Sequence, residues 1–332
     1  MKCVKVPLKQ LNDTRIKLME SGQMNMEYRI KASSEYGYIP VDENPDGYEI
    51  VDMDLEPMKK VPHNFSELLE GELSSEEIEN LRTSFDTIGD IVILEIPDDL
   101  EDKKQIIGDA ALKFTKRKAI YMKRSAIKGT TRVRDLEFLS GVDDSVTIHR
   151  EHGARLKLDV REVYFSPRLA TERKRVMQSV EDGEKILDMF CGIGPFPIVI
   201  AKNKAVEITA VDINKEAIKY LNENIKLNKL KGSIETYCGD IREVSESFKL
   251  KFDRIIMNLP GLAYTFLDIA VNLIEENGII NYYEFSDSYE QGIKRLQDAC
   301  SEVGKEVEIL NTRKVKSTSP GEWHVAIDAK IK

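Results

Sequence analysis

The chain is poor in the residues that would tie it to a metal, an oxidising compartment or a membrane. Its 332 residues include four cysteines, four histidines and one tryptophan. Cys3, Cys191, Cys238 and Cys300 are widely scattered, with no pair at metal-ligand spacing. That excludes a cysteine-ligated zinc motif and argues against a disulfide framework, leaving four small hydrophobes expected in the interior. The pair His149 and His152 falls across a predicted hairpin turn, so no metal is expected there either. No apolar run reaches the roughly 20 residues that span a bilayer. Met1-Lys-Cys-Val-Lys-Val-Pro-Leu8 lacks the apolar core and cleavage site of a signal peptide. A membrane partner is therefore not expected, and the cytoplasm is the expected location.

Positive charge is also short overall, with a formal net charge of −9. The average hides a split. From Lys113 to Arg175 the chain carries 17 basic and 8 acidic residues, against 32 and 50 in the remainder. A basic segment inside an acidic protein is the pattern of a local polyanion-binding face, and equally of an ordinary solvated surface.

Three blocks follow from periodicity and breakers. Residues 1–56 read as a small α/β unit, with a strand at Cys3–Val6, a helix at Leu11–Ser21 and a strand at Tyr36–Val41; 57–64, with two prolines, reads as a linker. Residues 65–162 read as an α+β domain. It has helix starts at Ser66 and Ser74, a near-continuous β run over Ile88–Ile96 and a helix over Asp102–Lys116. A strand at Ala119–Met122 follows, then a hairpin turning at His152-Gly153. Residues 163–332 alternate strand and helix, with strands predicted at 185–189, 207–212, 233–237, 252–257 and 278–285 and later ones near 307–315 and 323–330. The spacing predicts a helix over Lys215–Asn228. That alternation predicts a mostly parallel, doubly wound sheet covered on both faces. Trp323 is expected in the core, and Tyr282-Tyr283 is expected to pack on the two faces of the fifth strand.

The chemistry is concentrated at strand ends. Ile186-Leu-Asp-Met-Phe-Cys-Gly-Ile-Gly-Pro-Phe196 runs a buried strand into a glycine turn. Asp212, Asp240 and Asn258-Leu-Pro260 close the next three strands. Ligands of open α/β sheets bind at such carboxyl ends. Gly192 and Gly194 allow close backbone approach, Asp212 is placed to accept two ribose hydroxyls, and Asp240 to reach an adenine edge. A dinucleotide fold wants a third glycine where Pro197 stands, and Pro195 and Pro197 remove phosphate-binding N–H groups. The ladder points instead to S-adenosyl-L-methionine. Asn258 sits where the methyl is delivered. Gly261 after Pro260 disfavours an adenine amine, and the lack of a cysteine at that corner disfavours cytosine C5. Ser166 and Pro167 read as helix N-cap and first helical residue, which puts Arg168 and Glu172 four apart on one helix face. Arg132 and Arg134 read either as solvated or as phosphate-contacting arginines.

Arg132-Val-Arg-Asp-Leu-Glu137, Val163-Tyr-Phe-Ser-Pro-Arg-Leu169 with Glu172-Arg173, Asp188-Met-Phe-Cys-Gly-Ile-Gly-Pro-Phe196 and Met257-Asn-Leu-Pro260 together resemble the archaeal and eukaryotic tRNA (guanine-37-N1)-methyltransferases. The resemblance spans essentially the whole chain. It implies a Rossmann-like class I S-adenosylmethionine-dependent methyltransferase domain at 163–332, preceded by two smaller α/β (α+β) domains. The middle block would grip the anticodon stem-loop of tRNA, and residues 1–56 would touch the outer corner. A monomer acting on tRNA and not on DNA is expected. Glu172 is then the expected general base for guanine N1, Arg132 the group holding O6, Asn258 the orienting amide, and Tyr164 a packing or hydrogen-bonding partner. Arg134 would support the RNA, and Arg168 would support either the anticodon-loop backbone or Glu172. The resemblance places the donor against Asp188, Phe190, Gly192, Gly194, Asp212, Ile213, Asp240, Ile241, Asn258 and Pro260. Methylation in wyosine-base formation is one alternative; an inactive RNA-binding protein with a methyltransferase fold is the other.

Overall fold

The computed structural model describes residues 1–58, 62–125, 134–319 and 321–332. Contacts divide the chain into two compact units, Met1–His63 and Asn64–Lys332.

The first unit is a four-stranded sheet in the order β2-β3-β1-β4. Its strands are β1 (Lys2–Pro7), β2 (Lys31–Ala32), β3 (Tyr36–Pro40) and β4 (Glu49–Asp52), with helix α1 (Leu11–Glu20). Val4, Val6, Leu18, Ile39 and Val41 form its core. The short edge strands β2 and β4, polar and unpatterned, were invisible to periodicity.

The second unit opens on α2 (Ser75–Asn80), where Ser74 and Glu77 form a reciprocal capping box. The turn before it is capped by Asn64, whose Oδ1 accepts from Ser66 N at 2.8 Å, rather than by Ser66. The run expected as one strand over Ile88–Ile96 is a hairpin of β5 (Asp86–Ile88) and β6 (Ile91–Leu94), with Ile88 facing Ile91. Gly89, at φ 59°, opens the two-residue turn. Glycine at the first turn position matches strand twist without steric cost. Helix α3 (Lys104–Thr115), β7 (Ala119–Lys123) and β8 (Leu136–Gly141) complete a four-stranded sheet in the order β5-β6-β7-β8. The hairpin β9 (Val146–Glu151) and β10 (Ala154–Asp159) turns at His152-Gly153, both at positive φ. Ala154, Leu156 and Leu158 share a core with Ile198, Ile218 and Leu221 from the helices that follow.

Those helices cover a seven-stranded sheet in the order β13-β12-β11-β14-β15-β17-β16. The strands are β11 (Lys185–Asp188), β12 (Glu207–Asp212), β13 (Ser233–Cys238), β14 (Phe252–Met257), β15 (Ile274–Ser286), β16 (Val307–Ser319) and β17 (Glu322–Ile331). The first five run parallel and β17 pairs antiparallel with both β15 and β16. One face packs on α4 (Ala170–Ser179), α5 (Pro195–Asn203) and α6 (Lys215–Leu227). The other packs on α7 (Ile241–Val244), α8 (Leu267–Leu273) and α9 (Glu290–Glu302). Two interior expectations are corrected. Trp323 is half-buried beneath Lys314 Nζ, 4.5 Å from the ring centroid, and Cys238 at the edge strand is exposed. No helix among the described residues is long and apolar enough to cross a membrane.

Gly89 fixes the β5–β6 turn against β9: an alanine Cβ there would lie 2.9 Å from the Ile148 carbonyl oxygen, besides meeting Thr147. With the left-handed backbone adding ~1–2 kcal/mol, Gly89→Ala should lower stability by about 2 kcal/mol or more. Urea unfolding midpoints check this; an unchanged midpoint would show that the turn relaxes freely.

Candidate active site

The strand order reverses between β11 and β14, and a cavity of about 360 Å³ opens there at the carboxyl ends of the strands, where sheet topology places ligands. Gly192, Asp212, Asp240 and Asn258 line it with Phe190, Ile213 and Ile241. The two glycines do different work. Gly192 (φ 54°) has open space where a Cβ would stand. Gly194 (φ 81°) does not line the cavity; its missing side chain admits Leu221 of α6.

Asp212 holds the turn from the next strand. Its Oδ2 accepts from Gly192 N at 2.7 Å and its Oδ1 from Asn214 N at 2.8 Å. Burial raises its pKa, and these two bonds only partly oppose the shift. Each oxygen keeps a further lone pair for a ligand hydroxyl. Asp240 caps α7 through Arg242 N at 2.9 Å. Arg242 in turn lies 4.1 Å over the Phe266 ring, another cavity wall.

Asp188 lies beneath the turn. It is 1% exposed, does not line the cavity, and accepts from Phe190 N at 3.2 Å. Burial, with the Asp212 charge a smaller contribution, pushes it up to about 8 against an accepted backbone bond. Pro260 also lies outside the lining; its carbonyl accepts from Phe285 N at 3.1 Å and so pins the corner that carries Asn258. Asn258 Oδ1 is buried and has no hydrogen-bond partner, an arrangement that costs ~1–3 kcal/mol unless a ligand donates to it.

A second cavity of about 460 Å³ shares the strip Tyr164-Phe165-Ser166 with the first. Its walls are of mixed character: Lys123, Arg134, Arg168 and Lys316 stand with Asp86 above aliphatic residues such as Ile88. The dividing strip is held from beneath by Arg173, which sequence reading passed over. Its guanidinium is 1% exposed, donates to both Glu151 oxygens at 2.5 and 2.6 Å and to the Ser166 carbonyl at 3.1 Å, and lies 5.1 Å from the Phe165 ring centroid.

Residues 147–310 match the TRM5/TYW2 methyltransferase domain, residues 65–145 the TYW2 N-terminal domain, and residues 3–49 the tRNA methyltransferase 5 N-terminal domain. The chain is 43% identical to the tRNA (guanine(37)-N(1))-methyltransferase Trm5b of Pyrococcus abyssi, over 99% of this chain and 98% of that protein. The chain belongs to the TRM5/TYW2 methyltransferase family. The crystal structure of Trm5b from Pyrococcus abyssi covers 100% of the chain with a TM-score of 0.87 at 42% identity, and 99% of that structure is matched. A solved complex of aTrm5 with tRNALeu matches 100% of both chains with a TM-score of 0.85 at 37% identity. A 4-demethylwyosine aminocarboxypropyltransferase of Methanocaldococcus jannaschii is 36% identical, but over 74% of this chain and 97% of that protein.

Within this family member, Glu172 lies apart from both cavities. It is 1% exposed on α4, and its carboxylate accepts from Arg175 Nη2 at 2.7 Å and from the Tyr283 hydroxyl at 2.8 Å. Arg313 Nη1 stands 3.3 Å away. The expected single helix carrying Arg168 and Glu172 on one face is corrected: residues Pro167–Leu169 form a separate 3-10 turn, and Arg168 Nε reaches Asp86 at 2.5 Å. Ser166 is likewise not a side-chain cap; its backbone is extended and its carbonyl serves Arg173. Tyr164 lies on the strip between the cavities and Arg134 in the second, its buried Nε without a partner. Arg132 lies outside the described residues. His149 and His152 serve the fold, His149 Nδ1 accepting from Gly89 N at 3.2 Å and His152 Nε2 lying 2.7 Å from the Ala170 carbonyl.

The Asp188 shift has a definite pH signature. From about pH 4, where an unfolded aspartate ionises, up to about pH 8, the folded chain holds a proton that the unfolded chain has released. Stability therefore falls as pH rises through that window and levels off above it. Asp188→Asn, with no charge to bury, should remove this slope, so its urea midpoint should gain on the parent's from pH 4 to pH 8. Parallel curves for the two proteins would mean that Asp188 is ionised in the fold.

Proposed function

We propose that this protein transfers the methyl group of S-adenosyl-L-methionine to N1 of guanosine 37 in tRNA. The observation that carries the reading is the buried, unpartnered Asn258 Oδ1 in a nucleoside-sized cavity beside a basic one. The residues present fit the donor: Gly192 leaves room for close approach, Asp212 has lone pairs free for ribose hydroxyls, and Ile213 and Ile241 offer apolar surface to adenine beside Asp240. When bound, the donor supplies a methyl carbon on a sulfonium.

The chain's own residues orient the acceptor. The Watson–Crick edge of guanine offers N–H donors at N1 and N2 and an acceptor at O6, so Asn258 Oδ1 suits the N–H side. Arg132 suits O6, where negative charge grows as the N1 proton departs. The new bond forms between N1 and the methyl carbon as the carbon–sulfur bond breaks, and the N1 proton passes to Glu172. That carboxylate becomes available by exchanging Tyr283 or Arg313 for the base. The nucleotide enters extruded from its stack, with Tyr164 beside it and Arg134 and Arg168 toward the RNA backbone. Residues 65–162 hold the anticodon stem-loop, the 1–56 unit meets the outer corner, and the protein acts as a monomer.

Aminocarboxypropyl transfer is the reading favoured by the match of residues 65–145 to the TYW2 N-terminal domain. The match of residues 3–49 to the tRNA methyltransferase 5 N-terminal domain, and the near-complete span of the Trm5b likeness, support methyl transfer over it. Incubation of an unmodified G37 tRNA transcript with the donor, followed by nucleoside mass analysis, decides: 1-methylguanosine at position 37 is expected. No 1-methylguanosine on that transcript, with modification instead of a parallel tRNA carrying 4-demethylwyosine at position 37, would move the protein to wyosine chemistry. Glu172→Gln should lower the single-turnover rate on the order of 10²-fold with donor affinity little changed. Loss of folding or of donor binding in that variant would make Glu172 purely structural.

A further inference from the structure

We propose that the far end of the β16–β17 hairpin is a second jaw of the RNA site, in which Lys316 binds a backbone phosphodiester and Phe285 packs against the extruded nucleotide. The inference rests on the function proposed above and deepens it: the basic segment Lys113–Arg175 supplies one jaw, and this edge of the seven-stranded sheet supplies the other.

Strand geometry carries the first part. Successive residues of a regular strand point to opposite faces, so three in a row lining one cavity mark an edge where regular pairing ends. Lys316, Ser317 and Thr318 all line the second cavity. Pairing with β17 slips just before this run, between Lys314 and Lys316, and again between Ser317 and Ser319, which leaves Thr318 as the bulged residue. Such bulges on an edge strand re-aim side chains and are enriched beside active sites.

Charge carries the second part. Two cations of this cavity are already answered: Asp86 lies 2.5 Å from Arg168 Nε and 3.7 Å from Lys123 Nζ. Lys316 makes no ion pair among the described residues, and Arg134 Nε is buried without a partner. These two cations lining one cavity, in a chain of net charge −9, complement a polyanion. The cavity is also half apolar in character, which suits a base and its backbone together rather than a free anion.

Connectivity carries the third. Phe285 lines the same cavity, and its backbone N donates to the Pro260 carbonyl at 3.1 Å. The ring is thereby tied to the corner that presents Asn258, so a base resting on it lies within the same rigid frame as the methyl-delivery site.

The test measures binding of a G37 anticodon stem-loop RNA across a salt series for the parent, Lys316→Glu, Phe285→Leu and a distant control, Lys229→Glu. Lys316→Glu should raise the RNA Kd about tenfold or more and reduce the slope of log affinity against log salt by about 0.7–0.9. Phe285→Leu should weaken binding about fivefold with the slope unchanged. Donor affinity and thermal midpoint should match the parent in both, and Lys229→Glu should leave the RNA slope unaltered. If Lys316→Glu keeps the parent's Kd and slope, or if Lys229→Glu loses as much, the jaw is overturned. A parent that binds the RNA but leaves G37 unmethylated would overturn the proposed reaction, and the Lys316 comparison would still decide the jaw.

Discussion

Arg173 is taken almost wholly out of water, and everything around the two cavities follows from how that charge is answered. An unpaired buried guanidinium would cost several kcal/mol. Glu151 meets it with two oxygens and the Ser166 carbonyl takes a third N–H. These bonds join α4 to the β9–β10 hairpin and fix the extended strip Tyr164–Ser166, the wall that both cavities share. Buried pairs of this kind contribute less to net stability than to uniqueness of arrangement. Here the arrangement they specify is a partition between a donor side and an acceptor side.

The donor side obeys a related constraint. Two aspartates, Asp188 and Asp212, lie at the ends of neighbouring strands with burial raising the pKa of both. Among the described residues neither makes an ion pair; each is answered by backbone N–H groups of the turn it supports. The glycine turn is thus shaped by carboxylates from beneath, which leaves its upper surface free for a ligand. Glu172 shows the opposite arrangement, a carboxylate surrounded by Arg175, Arg313 and Tyr283. Arg175 continues to Asp328 at 2.5 Å, and Asp328 to Asn281 at 2.6 Å. That chain of buried polar contacts runs from α4 through β17 to β15, so any movement of Glu172 toward a substrate is coupled to the sheet.

The long β16–β17 edge is where the two halves of the site meet. It contributes Arg313 to the Glu172 cluster and, three residues later, Lys316 to the second cavity. The neighbouring strand β15 contributes Tyr283 to the first and Phe285 to the second. Tyr283 and Phe285, two apart on one face of β15, therefore serve the reacting group and the RNA side at once.

The sequence by itself determined the parallel core and its ladder of end residues. Strands with near-continuous apolar runs, helix α6 with its apolar stripe, and the His152-Gly153 turn are local patterns, and local patterns survive being read one residue at a time. Asn258, Asp212 and Asp240 were legible because a strand end is also a place in space. What only tertiary structure decided is the partnering of charges. Arg168 finds Asp86, 82 residues away, rather than Glu172 on the next turn. Arg173, one of three consecutive basic residues with no role assigned from sequence, finds Glu151 across the hairpin. Asp188 is almost fully buried under the turn, and Gly194 gives room to Leu221. In each instance the outcome depends on which opposite charge or side chain long-range packing brings near, and an ion pair between distant segments leaves no periodic trace in the chain.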